Sequence, residues 1–124
     1  MDAPVLGEKE SKVLKAHYEP NHLSKDCSPF NSEIPCSGIP PTYIQVAGMD
    51  IMRDDGLVYA RALKDSGVDV RLDVYPGMLH GHYVIWPQLK QSFKSQIDTL
   101  SGVGWLLGIR LEREVIERFW TATD

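Results

Sequence analysis

The chain has 124 residues, 43% of them hydrophobic and 24% charged, a balance that fits one globular domain or a piece of one. Its formal charge of −4 excludes the basic field that draws nucleic acid or an anionic membrane surface. No apolar run approaches the roughly 20 residues that span a bilayer, so neither a nucleic-acid partner nor a membrane span is expected.

The opening MDAPVLGEKESK has no basic start followed by an apolar core. No signal peptide is therefore visible and the cytoplasm is favoured, provided that Met1 is the true start. Residues 8 to 16 read as a short helix, with Val13 and Leu14 able to face a core. From Tyr18 to Pro41 the chain is loop-like, broken by Pro20, Pro29, Pro35, Gly38, Pro40 and Pro41. Cys27 and Cys36 fall in this stretch and are expected to be unpaired thiols, since nothing marks an oxidising compartment. Residues 42 to 48, TYIQVAG, predict a strand that Gly48 ends. A helix follows over residues 55 to 66, with Asp54 and Asp55 at its positive end and Gly67 as its stop.

In residues 68 to 75, VDVRLDVY, the valines and Leu72 alternate with Asp69, Arg71 and Asp73. The clean polar face predicts a strand at the edge of a sheet, because a strand covered on both sides should be apolar nearly throughout. Beyond it, Trp86, Leu89, Phe93, Ile97 and Leu100 step by three or four, predicting an amphipathic helix interrupted at Gly102 and Gly104. Leu111, Val115 and Phe119, with Ile116 and Trp120 beside them, predict one more. The fold class is thus α/β, a parallel strand-helix-strand-helix unit with a right-handed crossover. Two strands make a sheet without independent stability, so the sheet is expected to be incomplete, with further strands upstream of this chain.

Functional groups in open α/β sheets collect at the carboxyl ends of the strands. Asp50 follows the first strand there and His80 the second. Adjacent parallel strands lie about 4.8 Å apart, so neighbouring loops would let this carboxylate reach this imidazole. Such a pair fixes a tautomer and moves a nucleophile's proton. The order acid-then-histidine is that of α/β-hydrolases, whose serine comes earlier still.

Residues 40 to 83, PPTYIQVAGMDIMRDDGLVYARALKDSGVDVRLDVYPGMLHGHY, resemble the C-terminal part of the α/β-hydrolase fold-3 group, which contains the hormone-sensitive-lipase-like esterases and lipases. That group carries a strand ending in G-x-D-P-L-x-D, a helix with Y-A-x-x-L, and then Y-P-G-x-x-H-G-F. The resemblance extends loosely to DAPVL and CSPFNS upstream and to about Leu107 downstream. It implies that residues 1–108 are the C-terminal part of an α/β-hydrolase domain and leaves 109–124 as a divergent helix or tail. It also implies that Asp50 is the triad acid and His80 the base, acting on a small-molecule ester with no metal or organic cofactor. Asp54 and Asp55 are rival acids whose place at a helix start favours capping. His82 stands where the group usually has Phe, and Ile51 where it has Pro, departures that bear on the shape and polarity of the pocket.

G-x-S-x-G and H-G-G-G are both absent from the chain, and Ser11, Ser24, Ser28, Ser32 and Ser37 lack a strand-to-helix elbow. The nucleophile and oxyanion donors are therefore expected upstream, and the chain alone is expected to be inactive. An alternative is a catalytically silent fragment or a ligand-binding module on the same fold, as in the gibberellin receptors, which replace the histidine that His80 matches. His80 and His82 with Asp50 could in principle suit zinc, but the Pro76-Gly77 turn and the family pattern already account for this loop.

Overall fold

The computed structural model describes residues 5 to 121. Helix α1 (Glu8–Tyr18) opens it and ends at Glu19 in a left-handed conformation. Val13 and Leu14 on this helix are 51% and 59% exposed, so they do not enter the core expected of them. A single 3-10 turn, Pro29–Asn31, is the one regular element of the long loop that follows. Cys27 and Cys36 are both free thiols, the first exposed and the second buried.

Strand β1 (Thr42–Ala47), helix α2 (Arg53–Asp65) and strand β2 (Val70–Tyr75) form the expected parallel unit. Thr42 pairs with Val70 and Ala47 with Tyr75, so the strands are in register to their carboxyl ends. Thr42 and Gly48 donate their amides to the carbonyls of Asp69 and Tyr75. Strand parity therefore turns the backbone of Tyr43, Gln45 and Ala47 toward the other edge of β1, and among the described residues the sheet has these two strands only. The accessible surface is 8908 Å². A compact monomer of this length would expose about 6,700 Å², so much apolar surface stays uncovered.

Helix α3 (His82–Ile85) is one turn long, and α4 (Lys90–Leu106) follows it and packs on the sheet. Strand β2 pairs with β1 alone among the described residues, as expected of an edge strand, but its polar face is not left uncovered: α4 lies on it, and the polar groups are satisfied by each other. Tyr43 donates to Asp73 at 2.7 Å, Arg71 to Ser101 at 3.1 Å, and Tyr75 to Asp98 at 3.0 Å. The apolar stripe does not define what α4 buries. Its buried residues are Ser92, Ser95, Ile97, Asp98, Gly102 and Gly104, whereas Trp86 and Leu89 precede the helix. The glycines continue α4 instead of interrupting it. A Cβ on Gly102 would stand 2.2 Å from the Tyr43 ring, so only glycine admits this approach of helix to strand. Helix α5 (Arg113–Thr121) packs on α4 through buried Ile116; the side chain of Trp120 lies outside the described residues.

Candidate active site

Two hydrogen bonds draw the loops after β1 and β2 together. Gly48 donates to the Tyr75 carbonyl and Met49 to the Met78 carbonyl, both at 2.9 Å. A Cβ on Gly48 would lie 2.9 Å from the Pro76 backbone, so this contact requires glycine on the β1 side. On the β2 side Gly77 takes φ +75°, which turns the chain back over the sheet end.

These turns bring Asp50 and His80 together. His80 Nδ1 donates to Asp50 Oδ2 at 2.6 Å. The other carboxylate oxygen, Oδ1, accepts the Met52 amide at 2.9 Å, which fixes the plane of the carboxyl group. The Asp50 side chain is 12% exposed and that of His80 48%. The acid is thus shielded and anchored, while the ring it holds is open to solvent on its far side. With Nδ1 on the carboxylate, Nε2 is the nitrogen left to handle another group's proton.

The rival acids are placed elsewhere. Asp54 pairs with Arg53 at 2.8 Å, and that guanidinium holds its carboxyl below the usual range. Asp54 and Asp55 lie in the first turn of α2, where negative charge complements the helix dipole, and no side chain caps that helix by a hydrogen bond. His80 and His82 also part company. His82 turns inward, 3% exposed, with Nδ1 2.9 Å from Ser92 Oγ. Burial pushes its pKa down, so the ring is neutral at pH 7. Among the described residues no set of three or more His, Cys, Asp or Glu side chains could hold a metal ion.

A cavity of about 200 Å³ joins the two histidines and is also lined by Asp50, Gln45, Tyr75 and Tyr83. Its floor is polar and well satisfied. The Gln45 amide donates to the Tyr75 hydroxyl and to the Ser95 carbonyl, both at 2.9 Å, and its oxygen accepts from Thr99 at 3.1 Å. Asp98 also pairs with Lys94. Burial, aided by Asp73, raises the Tyr43 phenol to about 12, and burial raises Tyr75 as well. Hydrophobic periodicity misses the residues behind this floor. The available signal is the polar spacing Ser92, Ser95, Asp98 on an amphipathic helix, which marks a second, hydrogen-bonding stripe.

The α/β hydrolase fold family matches residues 2–84. An AB hydrolase superfamily protein of Schizosaccharomyces pombe is 34% identical over 105 residues, covering 85% of this chain and 31% of its own length. The versiconal hemiacetal acetate esterase of Dothistroma septosporum is 30% identical, over 84% of this chain and 31% of its own. Among solved structures, vibralactone cyclase superposes with a TM-score of 0.81 at 30% identity, over 86% of this chain and 31% of that one. The chain thus spans about a third of the length of these relatives.

Proposed function

This chain belongs to the α/β-hydrolase fold-3 family, the hormone-sensitive-lipase-like group, and we propose that it supplies the acid and base of a Ser-His-Asp triad for carboxylic-ester hydrolysis. The 2.6 Å contact between His80 Nδ1 and Asp50 Oδ2, made across two loops at the carboxyl ends of adjacent strands, carries this reading. His80 Nε2 takes the proton of a serine hydroxyl as the oxygen attacks the ester carbonyl, and Asp50 stabilises the charged ring. The ring then returns that proton to the departing alcohol. Water, activated by the same nitrogen, releases the acyl group. The substrate is a small-molecule ester, and the esterase relative is named for an acetate ester.

The serine lies outside these 124 residues, which hold no G-x-S-x-G elbow. Residues 1 to 124 alone should therefore hydrolyse p-nitrophenyl acetate no faster than free imidazole does. In the full-length protein, His80→Ala should lower kcat by about 10³-fold or more. An unchanged kcat would overturn the assignment. Saturable turnover by the 124 residues, abolished by His80→Ala, would place the nucleophile within them.

A further inference from the structure

His82 is almost wholly buried, yet one of its ring nitrogens has no partner among the described residues. The Ser92 hydroxyl donates to the His82 carbonyl at 3.2 Å. A hydroxyl has one hydrogen; with it on that carbonyl, the 2.9 Å contact between Ser92 Oγ and His82 Nδ1 is a donation from Nδ1, the tautomer on which the inference rests. The ring is neutral, so its other nitrogen, Nε2, carries a lone pair and no proton. Among the described residues no buried side-chain nitrogen or oxygen lacks a partner. Nε2 is bonded to none of them, so it reaches open space, and the space its residue lines is the cavity beside His80. Several neighbouring polar groups are already engaged: Gln45 on both sides of its amide, the Tyr75 hydroxyl by Asp98, and the Asp50 oxygens by His80 and Met52. Tyr75 and Tyr83 flank the ring with centroids at 5.8 Å and 5.6 Å, so it cannot swing away to find a partner.

We propose that His82 is a specificity-determining residue whose Nε2 accepts a hydrogen bond from a hydroxyl on the ester substrate. The inference rests on the esterase reading above and narrows it to hydroxylated esters. The cavity, about 200 Å³ within these residues, has room for a short hydroxyacyl group. A site built around a buried acceptor discriminates against the analogue that leaves it unpaired.

The test compares kcat/KM of the full-length protein for methyl 3-hydroxybutyrate and methyl butyrate, together with nitrogen-15 spectra of the His82 ring. The wild type should prefer the hydroxy ester by about five- to tenfold, the worth of one neutral hydrogen bond. His82→Phe should bring that ratio close to one, whereas His80→Ala should lower both rates together and leave it standing. An equal ratio in wild type and His82→Phe, or a wild-type preference for butyrate, would overturn the inference, as would a proton found on Nε2. Turnover of neither ester, with the proton on Nδ1, would overturn the esterase reading and leave the free acceptor supported.

Discussion

Helices α2 and α4 cover opposite faces of the same two strands with different chemistry. Under α2 the contact is apolar: Leu63 and Ala60 are buried, and Gly56 lets the helix approach until a Cβ there would stand 3.0 Å from a Val46 methyl. Under α4 the contact is a web of hydrogen bonds among Tyr43, Gln45, Asp73, Tyr75, Ser95 and Asp98, with Ile97 as its fully buried apolar member. The apolar face draws on non-directional burial and tolerates small shifts. The polar face fixes geometry, because its hydrogen bonds are directional and shared among few groups, so a displaced partner leaves a buried group unpaired. The candidate site sits at the end of that second face, where Tyr75 leads into the turn that carries His80.

The comparison can be broken first on the apolar side. Leu63→Ala removes the most buried leucine and should cost about 2–5 kcal/mol of unfolding free energy, read from urea denaturation. The loss should be the same at every pH, since no ionisable group is involved; a loss below about 0.5 kcal/mol would show that α2 does not anchor the sheet.

A smaller effect should sharpen the contrast, because the polar face titrates and the apolar face does not. The Tyr43 phenol ionises at about 12 in the fold against an ordinary 10.0. Above pH 10 the unfolded chain therefore releases this proton first. The stability it contributes is full below pH 10 and disappears as the pH rises through about 12. His82 has the opposite sign. Its folded value lies below the ordinary 6.5, so the unfolded chain binds the proton more readily, and stability present above pH 6.5 falls as the pH drops beneath it. Tyr43→Phe should make the alkaline limb of a stability-pH curve shallower, and His82→Phe the acid limb. Unchanged limbs would show that neither group is held as described.

The same contrast explains what was legible beforehand. Alternation located β1 and β2 within about two residues, and the apolar spacing of Tyr59, Ala62 and Leu63 located α2, because hydrophobic burial writes a periodic signal. Hydrogen-bonded packing writes a fainter one, here the polar spacing of Ser92, Ser95 and Asp98. The polar face of β2 therefore resembled a solvent face, and Gly102 resembled a helix break where it is a close contact with Tyr43. Val13 and Leu14 had the spacing of core residues, but among the described residues nothing large packs on that side of α1. Helix α3 is a single turn, too short to carry a period. Within the site, the meeting of Asp50 and His80 followed from chain order and strand direction. The pairing of His82 with Ser92 did not, since it depends on where α4 crosses the sheet.

The most direct measurement is a double-mutant cycle in the full-length protein, with kcat/KM for a short-chain ester determined for Asp50→Asn, His80→Ala and the combination. If the carboxylate works only through the ring, the combined variant should be no slower than His80→Ala alone. Losses that multiply would mean that Asp50 and His80 act independently, and would contradict the pairing on which the account depends.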